Sequence, residues 1–208
     1  MDFFAKMSHE IQTPLTLILI PLENMLDRAL KSGNLLLQQR LRSISNNANR
    51  LSRIVFELTS LRDKELERLV LRPSENNLTE DLKAITESFM EQAKFKGIHF
   101  KCSYPDVKLK MWYDKDKIEH IFFNLLSNAF KFTPKGGYII LDAIIEDWER
   151  NVKISITDSG PGIPKEELEH IFQLFYQADS GKQKMGTGIG LALTKELVDL
   201  HHGKIDVK

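Results

Sequence analysis

The sequence predicts two domains of different class: an all-α helical hairpin that forms a dimeric four-helix bundle, then an α+β sandwich. Three observations lead there. Residues 2–69 hold a single glycine, Gly33, and carry apolar residues at helical spacing. Tyr138 to Ile145 and Asn151 to Asp158 alternate in the β-branched manner of strands. Before and after those strands the helical period returns, at Asp116–Lys131 and Gly190–His201.

The hairpin comes first. Met7, Ile11, Leu15, Ile18, Leu22 and Met25 form one apolar stripe, and Lys31-Ser-Gly-Asn34 breaks it. Leu37, Leu41, Ile44, Ala48, Leu51, Val55 and Leu58 then step by four and three, a period of about 3.5 residues. One hairpin leaves such a stripe uncovered, and pairing two copies covers it. Residues 1–69 are therefore assigned to this domain. Residues 70–80, with Pro73, Ser74, Asn76 and Asn77, read as a linker or as the entry strand of the second domain. Residues 81–208 form that second domain. Leu78–Ala93 reads as a helix capped by Thr79. Ile98–Cys102 and Lys108–Tyr113 read as strands, Lys165–Phe172 as a short helix, and Lys204–Val207 as the start of another strand.

Composition narrows the function classes. Lys+Arg and Asp+Glu balance at 29 each, so the basic excess of a nucleic-acid-binding surface is missing. Cys102 is the sole cysteine, which excludes an internal disulfide and a cysteine metal cage. The longest apolar stretch, Leu15 to Leu22, falls well short of the roughly 20 residues a membrane helix needs.

Four short signatures succeed one another in the second domain: Asn124-Leu-Leu-Ser-Asn128-Ala-Phe-Lys131-Phe132, Asp158-Ser-Gly160-Pro-Gly162, Phe172-Gln-Leu-Phe175 and Gly186-Thr187-Gly188-Ile-Gly190-Leu191. Each alone is commonplace; an Asp-Ser-Gly-Pro-Gly loop is most often an ordinary turn. In this order they resemble the N, G1, F and G2 boxes of the histidine-kinase ATP-binding domain, which shares its fold with the gyrase, chaperone and mismatch-repair ATPases. In the first domain, Ser8-His9-Glu10-Ile11-Gln12-Thr13-Pro14-Leu15 resembles the H box of the same kinases. The whole is thus similar to a sensor histidine kinase of two-component systems. The stretch after the H box is similar to hybrid sensors of Bacteroides type.

The resemblance implies ATP and Mg²⁺ as cofactors and assigns roles residue by residue. Asn124, Asn128 and Lys131 lie four and three apart, on one helix face. Asn128 would be the main Mg²⁺ ligand, since amide oxygens are hard donors. Lys131 would contact phosphate, Phe132 would lie against adenine, and Asn124 would contribute to both binding and catalysis. Asp158 would accept a hydrogen bond from the adenine amino group, with Gly160, Gly162 and Ile163 lining the base. Gly186, Thr187, Gly188, Gly190 and Leu191 open a helix whose N-terminal N–H groups suit phosphate. Residues 177–185 resemble the lid over the nucleotide. His9 would be the phosphoacceptor and Glu10 its base, while Thr13 would position water for the reverse, phosphatase reaction. The implied partners are a second copy of the chain and a response-regulator receiver domain, separate or fused, and no nucleic acid. The implied location is the cytoplasmic part of an inner-membrane sensor.

Three positions depart from the family. Gln12 stands where Arg or Lys is usual, and Leu174 and Gln177 stand where one or two arginines are usual. The sequence also stops at Lys208, a strand or two short of the family's pattern. Two rival readings stand beside the kinase. A mechanical ATPase would carry a water-activating Glu at the position of Asn124. A catalytically weak pseudokinase, a nucleotide-sensing dimerisation scaffold, would suit Leu174 and Gln177.

Overall fold

The computed structural model describes residues 15–16, 18–22, 24–26, 28–29, 31, 35–65, 69–147, 151–177 and 188–208. The chain divides into two units, Met1–Leu69 and Val70–Lys208.

In the first unit the described residues between 15 and 31 are helical (α1), and α2 spans Leu35–Glu65. Leu15, with Leu19 beside it, packs with Ala48 and Val55; Leu22, with Leu26 beside it, packs with Ala29 and Leu41. Among the described residues the buried apolar positions therefore repeat every seven residues on both helices: 15, 22 and 29 against 41, 48 and 55. The seam that looks single in sequence is two rows. Ile18 and Met25 on α1, and Leu37, Ile44, Leu51 and Leu58 on α2, are also seven apart and are exposed, at 38–53%. Helix geometry explains the split. Residues three or four apart differ by about 40–60° around the axis, so one facing helix covers one row and leaves the other outside.

The second unit is a two-layer α/β sandwich. Strands β2 (His99–Ser103), β4 (Tyr138–Asp147) and β5 (Asn151–Asp158) form a sheet in the order β2-β4-β5, with β2 parallel and β5 antiparallel to β4. A two-stranded antiparallel sheet joins β1 (Ser74–Asn77) to β3 (Lys110–Tyr113). Helices α3 (Leu78–Lys96), α4 (Lys115–Phe132) and α5 (Gly190–Leu200) complete the fold. Strand β4 alternates as a half-covered strand should: Ile139, Leu141 and Ala143 are buried, while Tyr138, Ile140 and Ile144 are exposed. The buried side meets Leu82, Ile85 and Phe89 of α3 and Phe122, Leu126 and Phe130 of α4. Phe130, fully buried, stacks on Phe89 at 5.4 Å and meets Phe100 edge-on at 5.2 Å.

Residues 74–77 form β1, the entry strand that is one of the two readings of residues 70–80, and α3 starts at Leu78 as its helical spacing expects. Three details differ from the sequence reading. Asn77, not Thr79, sits at the N-cap of α3; Thr79 is buried and its hydroxyl donates to the Val107 carbonyl at 3.0 Å. The helix expected over Lys165–Phe172 is a single 3₁₀ turn, Lys165–Glu167, because eight residues are too few to sustain a helix that no three-turn apolar stripe supports. Residues 204–207 form no ladder with a described strand, and alternation without a paired neighbour makes no strand.

Helix α5 ends in a Schellman motif: His202 donates to the Asp199 carbonyl and Gly203 to that of Val198, each at 2.9 Å. The left-handed position falls on His202, at φ +57°. Glycine there removes the Cβ strain and loses some unfolded-state restriction. His202→Gly is expected to stabilise the second unit by about 0.5–1 kcal/mol, read as a raised urea midpoint at constant slope.

Candidate active site

Helix α4 carries the first signature. Its start is fixed by Asp114, whose side chain accepts from the Lys117 N–H at 3.3 Å. Ten residues on, the Asn124 amide donates to the Thr194 hydroxyl of α5 at 2.7 Å. Gly190, the first residue of α5, faces the same side chain so closely that a Cβ there would lie 2.5 Å from Asn124 Oδ1. Asn124 is thus engaged in holding α5 on α4. Asn128, one turn further, is half-buried, as is the Leu191 that follows Gly190. At the end of the helix the Lys131 ammonium lies 4.7 Å from the centroid of the Phe132 ring, which is itself half-exposed. Burial lowers the Lys131 pKa from the ordinary lysine value, and an anion beside it would act in the opposite direction.

The second signature closes β5. Asp158 ends the strand, paired opposite Ile139, and one of its oxygens accepts the Gly160 N–H at 2.8 Å. That bond orients a carboxylate that has further lone pairs to offer. The loop is held down by Ser159, whose hydroxyl accepts the Tyr138 N–H at 2.8 Å. Gly160 lies against the end of α4: a Cβ there would be 3.2 Å from the Phe132 carbonyl oxygen. Gly162 follows at φ +73°, and Ile163 is exposed.

The third and fourth signatures meet at a narrow neck. Phe175 donates its N–H to the Gly188 carbonyl at 2.8 Å. Gly188, at φ +70°, allows this approach; a Cβ would come within 2.6 Å of the Phe175 backbone. Phe175 itself is left-handed at φ +63°, with its ring 69% exposed. Leu174 is exposed and Gln177 half-buried.

Three glycine contacts therefore draw four separate signatures together: Gly160 on Phe132, Gly190 on Asn124, and Gly188 on Phe175. Of the residues singled out in sequence, His9, Glu10, Thr13, Gly186 and Thr187 lie outside the described residues. Thr194 was not foreseen. Its signal was a polar residue on the apolar side of α5, four positions after Gly190. No group of three His, Cys, Asp or Glu that could hold a metal occurs among the described residues. The half-buried Asn128 amide is a hard oxygen donor of the kind Mg²⁺ accepts. No helix of the described residues is long and apolar enough to cross a membrane.

Comparison with known proteins accords with this geometry. Residues 1–67 match the His Kinase A (phospho-acceptor) domain, and residues 113–208 match the histidine kinase-, DNA gyrase B-, and HSP90-like ATPase. Histidine kinase P4 of Formosa agariphila is 36% identical over 210 residues, covering 99% of this chain and 15% of that protein. Sensor histidine kinase TmoS of Ectopseudomonas mendocina is 38% identical over 208 residues, covering 99% of this chain and 21% of that protein. The chain thus spans a small part of the length of the curated relatives it matches. Among solved structures, histidine kinase ThkA in complex with response regulator protein TrrA superposes with a TM-score of 0.58 at 28% identity, over 96% of this chain and 54% of that one. With a phospho-acceptor domain followed by a gyrase-type ATPase domain, the chain belongs to the sensor histidine kinases of two-component signal transduction.

Proposed function

We propose that this chain is the kinase core of a two-component sensor, in which ATP held by the second unit donates its γ-phosphoryl group to His9 for relay to an aspartate of a response regulator. The observation that carries the reading is the convergence of the four signatures through Gly160, Gly188 and Gly190. Asp158 accepts the adenine amino group, and Gly162 and Ile163 line the base beside Phe132. Lys131 and the N-terminus of α5, with Gly186, Thr187, Gly188 and Gly190 leading into it, neutralise phosphate charge. Asn128 would hold Mg²⁺, which when bound neutralises the phosphate oxygens. His9 attacks as neutral imidazole, Glu10 takes its second proton, and Thr13 orients water when the phosphoryl group is removed again. The partners are a second copy, through the exposed rows of the first unit, and a receiver domain. ThkA, crystallised with its response regulator, supports that partner class. The segment's place is the cytoplasmic side of an inner-membrane sensor.

Incubation with γ-labelled ATP and Mg²⁺ tests this. The expected label is lost in acid and survives base, as phosphohistidine is and does. A chain that binds ATP and never labels favours the second reading, a nucleotide-sensing scaffold, for which the uncharged Leu174 and Gln177 speak. The mechanical ATPase reading is disfavoured by the engagement of Asn124 with Thr194, since an amide so held is no base for water.

Asp158→Asn keeps an oxygen for the Gly160 N–H and loses the charge. Calorimetry is expected to find ATP binding weakened by about 1.5–3 kcal/mol, the range for a hydrogen bond to a charged group, with the fold intact. Unchanged affinity removes Asp158 from the base pocket.

A further inference from the structure

The two helices that carry the nucleotide residues are fastened at a second point, far from Asn124. His201 caps the C-terminal end of α5. Its Nδ1 lies 2.7 Å from the Leu197 carbonyl, and its Nε2 lies 3.2 Å from the backbone nitrogen of Asp114. A carbonyl can only accept and a backbone N–H can only donate. The ring is therefore neutral, with its proton on Nδ1 and its Nε2 lone pair on the first residue before α4. Asp114 is 4% exposed and accepts the Arg72 N–H at 2.9 Å and the Lys117 ammonium at 2.5 Å, so the anchor is itself held by two further bonds.

We propose that His201 is a positioning residue for the nucleotide site: as the Nδ1-protonated tautomer it locks the far end of α5 to the N-cap of α4, and so sets where the first turn of α5 stands relative to Asn128. The two fasteners are ten residues apart on α4 and seven on α5, about 15 and 10 Å along the helices. One alone leaves α5 able to pivot about it. Two fix both its axial position and its direction, which governs where its N-terminal N–H groups point. The inference rests on the second unit binding ATP.

The test uses the whole chain, the non-hydrolysable analogue AMPPNP with Mg²⁺, and two variants. His201→Leu keeps bulk and loses the acceptor; His201→Gln offers an oxygen to the Asp114 N–H and an amide to the Leu197 carbonyl. The leucine variant, checked as folded by circular dichroism, is expected to bind roughly tenfold more weakly, and the glutamine variant within about twofold of the parent. Equal binding by all three, or equal loss in both variants, overturns the proposal. In the parent, nitrogen-15 NMR of the His201 ring is expected to place the proton on Nδ1. A proton on Nε2 overturns the proposal and leaves the nucleotide reading standing. A parent chain that binds no AMPPNP overturns both.

Discussion

His9→Gln is expected to reduce acid-labile phosphoryl label to background while ATP affinity stays unchanged. A neutral imidazole presents a localised nitrogen lone pair near pH 7, whereas an amide nitrogen delocalises its own into the carbonyl. Glutamine therefore preserves size and polarity and removes the nucleophile. Glu10 cannot substitute as a stable acceptor, because an acyl phosphate is lost in base. Glu10→Gln is expected to label slowly, by the 10²–10⁴-fold typical of a lost general base. Affinity is spared because the nucleotide residues all belong to the second unit. Persistent acid-labile label in the glutamine variant would place the acceptor on another histidine.

Ile44→Asp combined with Leu51→Asp is expected to turn a dimer into a monomer with its hairpin intact. Both residues are about half-exposed in the isolated hairpin, so charge there costs the hairpin little. In a symmetric four-helix bundle each would be covered by the partner copy, twice over. Fully covering an Ile or Leu side chain contributes about 1.5–3 kcal/mol; these are already about half covered in the hairpin, so the partner's share over four of them is roughly 3–6 kcal/mol. A loss of that size carries a nanomolar dimer into the micromolar range, and four carboxylates set in the interface weaken it further. Sedimentation should report a monomer with unchanged helicity. Leu41→Asp, on the buried row, is the contrasting control and should lose helicity instead. A parent chain that is monomeric at high micromolar concentration would sink the dimer.

Much of this was legible because the signals were periodic or covalently local. The period of about 3.5 in residues 37–58 announced the hairpin, and the β-branched alternation of β5 gave its limits, Asn151–Asp158, to the residue. The four signatures were legible as patterns, but their contacts were not. That Gly190 leaves room for Asn124, or Gly188 for Phe175, is a relation between segments fixed only by packing. The role of Asn124 illustrates the loss: sequence spacing puts it on the face of Asn128, and only the position of α5 reveals the Thr194 hydroxyl it serves. His201 was invisible for the same reason, since nothing local marks a histidine that bonds a residue 87 positions away. The short helix at 165–172 failed because so few residues cannot carry a helical period that packing would sustain.

Phe175 bears on how such a chain drifts. A bulky residue at φ +63° costs about 1–2 kcal/mol relative to glycine, and a ring left 69% in solvent returns little of that to folding. Selection for folding alone would move this codon to glycine or asparagine. A strained, exposed phenylalanine beside the site fits a ring used in function rather than in folding. If so, the substitution spectrum at position 175 is expected to track functional decay. In lineages that abandon phosphotransfer, this site is expected to relax before the Phe130 core does, because change here improves folding and change there destroys it.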